Sequence, residues 1–297
     1  MPSTITHTYI GLDTLKKVNT KPKSIINNHL NNYKVYCQSM DVLYFYHIFL
    51  LKENKVQKLA HSFHNQNVLN TFKMLINDNK LNKNDELFTF ISGLITHYQA
   101  DSIMHPYINY LSHNKKRIKE IDKHFEIETY IDNYYMKENN VKKYTIIYTK
   151  NTIIEDELNK VFNKLYNFKD MGKYYYKALK EMSFVYKYIR YDKYGIKRKM
   201  YSFIDFNPFN IRRCKYLSYH FNLNNNDYYL NLSHKTWFNY RNKKNTSSKS
   251  FLELYDEVID KASFIINELY SYIYENKKVD LDQLIKNISY SSGLLIA

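Results

Sequence analysis

The chain has 297 residues, with 44 Lys and Arg against 29 Asp and Glu and a formal charge of +15. Hydrophobic content of 44% excludes bulk disorder, and 5 Gly with 4 Pro are too few turn formers for a sheet-rich fold. Two cysteines, Cys37 and Cys214, exclude a disulfide framework.

Long helices joined by polar connections are the expected architecture, and the expected fold class is all-α. The basic residues are scattered, in short clusters such as Lys115-Lys116-Arg117 and Lys197-Arg198-Lys199. Lys, Asn, Ile and Tyr are all abundant, so drift toward AT-rich codons explains the charge better than a dedicated nucleic-acid surface. A diffuse positive field still favours phosphate-bearing substrates. No basic stretch leads into an apolar signal core, and the most apolar run, Val42 to Leu51, is too short to cross a bilayer. The sequence reads as a cytoplasmic protein.

In chain order, Leu12, Leu15 and Val18 give residues 1–20 a helical apolar spacing. Residues 21–32 are polar and hold Pro22, which predicts a connection. A short segment over 38–51 carries Asp41 ahead of aromatic residues. Residues 62–76 predict one helix with Phe63, Leu69, Phe72 and Ile76 inward, and 77–84 predict a polar loop, with Asp85 capping the next helix. The strongest helix runs from Glu86 to about Leu111. Pro106 lacks an N–H, which predicts a kink or restart beside His105. Residues 119–136 predict the next helix, and 137–144 a boundary. The division is then 1–140 as a zinc-binding helical domain and 141–297 as a mostly helical extension packed on it. Within the extension, helical periods fall at 153–165, 171–189 and Phe251 to Tyr274, around an irregular stretch, 191–249.

The chemistry concentrates on two of these helices. His97, Asp101 and His105 recur every four residues, and His124 and Glu128 repeat the spacing. Four residues advance an α-helix by roughly 400°, so each set forms a stripe on one face. Two such stripes facing each other present imidazole and carboxylate together, the ligand set that zinc prefers. One His-x-x-x-Asp pair is weak evidence, because buried histidines and capping aspartates are common. Two pairs in neighbouring helices point to a metal. Upstream, His61 and His64 stand three apart and cannot both face inward equally, and Asn65 and Gln66 are candidates to orient His64. Asp41 would be costly if buried unpaired, and coordination would remove that cost. His7 precedes an apolar helix, where its ordinary reading is a surface or capping residue. His29, His47, His113 and His220 show no comparable geometry.

His97-x-x-x-Asp101 and His124-x-x-x-Glu128 together resemble the bacterial zinc-dependent phospholipase C family, whose relatives include single-strand-specific zinc nucleases. The similarity covers roughly residues 1–136. It implies an all-helical domain holding closely spaced zinc ions, with Asp101 bridging metals beside His97. His105 matches the next ligand at a spacing two residues shorter than in secreted members, and His124 and Glu128 match the closing pair. Asp41, His64 and His7 look like the upstream ligands. Secreted members complete one zinc site with an N-terminal tryptophan, where this chain has Met1-Pro2, so the resemblance implies two or three zinc ions. It also implies phosphodiester hydrolysis, with Asp41 orienting or deprotonating the attacking water. The expected partners are a phospholipid or other phosphodiester and a peripheral membrane surface. Two alternatives stay open: a zinc nuclease acting on nucleic acid, and a zinc-stabilised helical binding module without catalysis. The role of the extension, including His234-x-x-Trp237, reads as packing.

Overall fold

The computed structural model describes residues 4–50, 53–64, 68–113, 117–205, 214–220 and 226–296. The chain is all-α, as its scarcity of turn formers requires. Its first half comprises α1 (Thr4–Lys17), α2 (Thr20–Asn28), α3 (Leu30–Tyr36), a 3-10 turn (Ser39–Phe45), α4 (Lys55–Phe63), α5 (Leu69–Asn82), α6 (Asp85–Ser112) and α7 (Arg117–Glu138). The second half contains α8 (Thr152–Tyr166), α9 (Met171–Phe184), which continues into a π-helical turn (Val185–Arg190), α10 (Ile196–Ile204), a second 3-10 turn (Cys214–Leu217) and α11 (Asn226–Leu230). A hairpin pairs β1 (Trp237–Asn239) antiparallel with β2 (Asn242–Ser247), before α12 (Phe251–Tyr274) and α13 (Leu281–Ile285).

Helix α6 is the axis of the fold. It is buried at most positions around its whole circumference, as a helix apolar on all sides must be. Asn84 caps it by accepting the Leu87 N–H at 2.9 Å, and Asp85 and Glu86 set negative charge against the helix N-terminus. Helices α1, α3, α7 and α12 pack around it. The main core draws Ile5, Phe45, Phe72 and Ile95 together with Leu158, Met182, Leu269 and Tyr290, so it runs across position 140. A smaller cluster joins Met104, Ile127 and Ile131 to Trp237, Phe251 and Val258. Trp237 is buried and donates to the Lys249 carbonyl, whereas His234 stays largely exposed.

Several local expectations need correction. Residues 21–32 are not a connection: α2 starts at Thr20, which puts Pro22 in the first turn, where a missing N–H breaks no helical bond. The helix expected over 62–76 is two helices, because α4 ends at Phe63 and α5 begins at Leu69. The polar stretch 77–84 continues α5 to Asn82, and the cap of α6 is Asn84 rather than Asp85. Helix α6 does not restart at Pro106, which lies inside it. At Pro106 the helix continues through a local punctuation signal. Asn65, Gln66 and Pro2 lie outside the described residues.

Gly93 lets α6 approach α3. A Cβ there would meet the Tyr36 Cβ at 2.5 Å and the Cys37 nitrogen at 3.0 Å. Gly93→Val should therefore force the two helices apart and lower stability by about 3 kcal/mol, as overpacking does. Chemical denaturation measures this; a stability equal to the parent's would mean the close approach is dispensable.

Candidate metal centre

Five segments deliver the eight sequence-predicted site residues. His7 comes from α1, Asp41 from the first 3-10 turn and His64 from the end of α4. His97, Asp101 and His105 line one face of α6, and His124 and Glu128 come from α7. Ser39 adopts a positive φ of 49° just ahead of Asp41, a conformation that non-glycine residues take only under tertiary constraint.

All eight converge. The two oxygens of Asp101 face different partners: Oδ1 lies 3.2 Å from His7 Nε2 and 3.6 Å from His105 Nδ1, while Oδ2 lies 3.2 Å from His97 Nε2. Asp41 is 2.7 Å from His64 Nε2 through Oδ1 and 3.6 Å from His97 Nε2 through Oδ2. Glu128 Oε1 lies 3.0 Å from His124 Nε2 and 3.6 Å from His105 Nε2. Two clusters result, one of His7, Asp41, His97 and Asp101 and one of His105, His124 and Glu128. Asp101 and His105 link them, and His64 flanks the first.

This donor set fits zinc. Ligand atoms about 2.1 Å from a tetrahedral zinc sit about 3.4 Å from each other, close to the gaps observed here. Buried polar atoms also go without hydrogen bonds at this place, among them His97 Nε2, Asp101 Oδ2 and Glu128 Oε2. Leaving so many unsatisfied in one spot is costly, and coordination would satisfy them. The hydrogen bonds that do form point the same way. The carbonyls of Cys37, Ala60 and Tyr290 lie 3.0, 2.7 and 3.1 Å from the Nδ1 atoms of His97, His64 and His105. A carbonyl can only accept, so each Nδ1 carries the hydrogen and each Nε2 faces the cluster.

Charge in the cluster is strongly coupled. Burial alone would raise the Asp101 carboxyl, yet His105 and His97 hold it well below the usual carboxylate range. Burial opposes Glu128 ionisation in the same way, and His124 and His105 outweigh it. Conversely, burial disfavours a charged His105, but Asp101 and Glu128 raise its imidazole to about 9.

Sequence reasoning missed three supporting groups. Asp132 continues the His124 and Glu128 stripe by four more residues, a signal that was there to read. Its Oδ1 accepts the Thr6 N–H at 2.8 Å and the Thr6 hydroxyl at 2.9 Å, which anchors the turn carrying His7. Cys37 matters through its carbonyl, to which no side-chain pattern points. Tyr290 comes from the segment after α13 and is buried against the site, with ring centroids 5.0 Å from His64 and 5.9 Å from His97. The Tyr98 hydroxyl donates to the Lys286 carbonyl at 2.8 Å and accepts the Ile288 N–H, and Gly293 passes too close to the Ser102 carbonyl to carry a side chain. His61 stays outside, largely exposed and paired with Glu53 at 3.0 Å.

This geometry makes two predictions for metal binding. Zinc must displace a proton held by His105 up to about pH 9, so affinity at the His105, His124 and Glu128 cluster should rise with pH to that point. The slope is about tenfold per pH unit for each proton displaced, read by chelator competition; a flat profile between pH 6 and about 9 would refute it. Tyr290→Ala should cost about 3 kcal/mol of stability and weaken zinc retention about tenfold or more. Tyr290→Phe should match the parent in both.

A sequence model for the family described as zinc dependent phospholipase C matches residues 6–189. No curated protein and no solved structure matches the chain.

Proposed function

Because the chain belongs to the zinc-dependent phospholipase C family, we propose that it is a hydrolase that cleaves a phosphodiester, with a phospholipid as the first candidate substrate. The observation that carries this reading is a cluster with a buried floor and a solvent-facing rim. His97 is fully buried and Asp101 is 2% exposed, whereas His124 is 25% exposed and His64 and His105 are partly open. A structural zinc site is closed by protein ligands; a catalytic one keeps a position for water and substrate.

In this reading His7, Asp41, His97 and Asp101 would hold one zinc, and His105, His124 and Glu128 would hold another, with Asp101 standing between the two clusters. His64 joins Asp41 at the rim. Zinc bound there would supply charge neutralisation at the phosphate oxygens and a water acidified toward neutral pH. Asp41 accepts the proton of the water that attacks phosphorus, and His64 keeps its carboxylate oriented. The bond from phosphorus to the alcohol oxygen breaks as the new P–O bond forms, and the leaving alkoxide takes up the proton that Asp41 accepted and departs as the alcohol. The fully buried tyrosines Tyr33, Tyr36, Tyr98, Tyr107 and Tyr130 serve the core, so the high tyrosine content is not by itself a base-stacking surface.

Elemental analysis of protein purified without chelators should find at least two zinc ions per chain. The zinc-loaded protein should hydrolyse soluble phosphodiesters and short-chain phosphatidylcholine. Asp41→Asn should lower turnover by about 10²-fold or more while the fold survives. Full zinc occupancy with no turnover on any phosphoester would leave a zinc-stabilised binding module. Faster cleavage of single-stranded DNA than of lipid would instead favour a nuclease.

A further inference from the structure

Helix α10 is amphipathic the wrong way round. Ile196, Met200, Phe203 and Ile204 fall within about 100° of one another on the helix, the usual width of a core-facing stripe. Here they are 59%, 58%, 79% and 46% exposed, and no residue of α10 is buried. The other side of the helix holds it to the body through polar contacts. Tyr201 donates to the Ile189 carbonyl at 3.2 Å, Arg198 to the His220 carbonyl at 3.0 Å, and Lys197 to the Tyr191 carbonyl at 2.7 Å. The Arg198 N–H meets Asp192 Oδ2 at 2.8 Å. An apolar face directed away from the protein in this manner is the mark of an interaction surface.

The exposed apolar surface extends beyond α10. Phe184 and Tyr188, at the end of α9 and in the π-helical turn, are 49% and 52% exposed, with rings 5.0 Å apart. Phe49, 61% exposed, meets the Phe184 ring edge-on at 5.9 Å. Lys197 donates to the Tyr188 carbonyl, which ties this ridge to α10. Charge surrounds it: residues 177–205 hold eight Lys and Arg against three Asp and Glu, and of the eight only Arg190 is buried. Lys187, Lys193 and Lys199 are exposed, while Asp192 is buried and bonded to the Ser218 hydroxyl.

We propose that α10, with Phe49, Phe184 and Tyr188, is the surface by which the protein docks on an anionic phospholipid bilayer. An apolar stripe flanked by lysines suits the boundary between headgroups and acyl chains, where the ring and aliphatic groups enter and the ammonium groups stay with phosphate. A second copy of this chain fits poorly, because a two-fold contact would set the same basic residues against each other. Nucleic acid would take the lysines but leave Ile196, Met200 and Ile204 without partners. No helix among the described residues is long and apolar enough to cross a membrane, so the attachment is peripheral. A nine-residue helix would be marginal alone, but this one is held folded by the protein beneath it. The docking surface deepens the phospholipid reading above and rests on it for the kind of lipid that the site would act on.

The test is sedimentation of the full zinc-loaded chain with vesicles of phosphatidylcholine alone and with roughly one third phosphatidylserine. The parent should bind the anionic vesicles more tightly, and less so as salt is raised. The double variant Met200→Glu, Phe203→Glu, placed where nothing is buried, should weaken binding at least tenfold, and Lys199→Glu about fivefold or more. Phe203→Trp should retain binding. All variants should keep parental thermal stability and parental turnover of a soluble phosphodiester. The proposal is overturned if the parent ignores anionic vesicles, or if the double variant binds them as well as the parent. It is also overturned if the double variant loses only self-association or single-stranded DNA binding. Vesicle binding that depends on α10 supports docking even if no phosphoester is turned over, a result that would count against the hydrolase reading alone.

Discussion

A carboxylate placed where water cannot reach it sets the terms for the rest of this structure. Asp101 sits on the most buried helix of the fold, and moving an ion of that kind out of water carries a penalty of several kcal/mol before compensation. Converging positive, metal-bound or hydrogen-bonding groups offset that penalty, and the fold brings His7, His97 and His105 to its two oxygens. Each of those rings brings a further requirement: its second nitrogen must find a partner, and its helix must be held in register. Asp101 joins α1 to α6 directly, and the 3-10 turn and α7 reach it through His97 and His105.

Much of the surrounding architecture can be understood as service to that coupling. Gly93 brings α3 close enough for the Cys37 carbonyl to fix the ring of His97. Asp132 grips the first turn of α1 and so holds His7. The segment after α13 returns to α6, hangs on the Tyr98 hydroxyl, and presents the Tyr290 carbonyl to His105. This last support lies beyond the residues matched by the family model, which end at 189. The outer surface obeys a different logic. At α10 the apolar residues face away from the protein, and the helix is retained by carbonyl contacts on its polar side.

Local punctuation was the least dependable guide to this fold. Pro22 and Pro106 both suggested breaks, and both lie inside helices: the first where its missing N–H is harmless, the second where surrounding packing holds α6 together. The polar run 77–84 looked like a loop because its residues are mostly polar, yet helical hydrogen bonds do not need apolar residues and α5 continues through it to Asn82. Periodicity misled over 62–76, where α4 ends at Phe63 and α5 begins at Leu69, and succeeded where a cap agreed with it. The range expected for the last long helix, Phe251 to Tyr274, matches α12 at both ends, because an apolar stripe and the Ser250 capping box agree there.

The sequence by itself determined that the chain is helical and that His97, Asp101, His105, His124 and Glu128 lie in stripes on two helices, because a period of 3.6 residues is a local property of the chain. It also pointed to His7, Asp41 and His64 by resemblance. Only the tertiary structure decided that all eight meet, that Asp101 faces two clusters, and that backbone carbonyls from Cys37, Ala60 and Tyr290 set the ring nitrogens. Carbonyls are the same in every residue, so no pattern of side chains marks the ones that matter. Helix α10 falls in the stretch 191–249, which the sequence suggests to be irregular, and even an amphipathic stripe fixes only which residues share a face, while the neighbouring helices and turns fix whether that face looks inward or out.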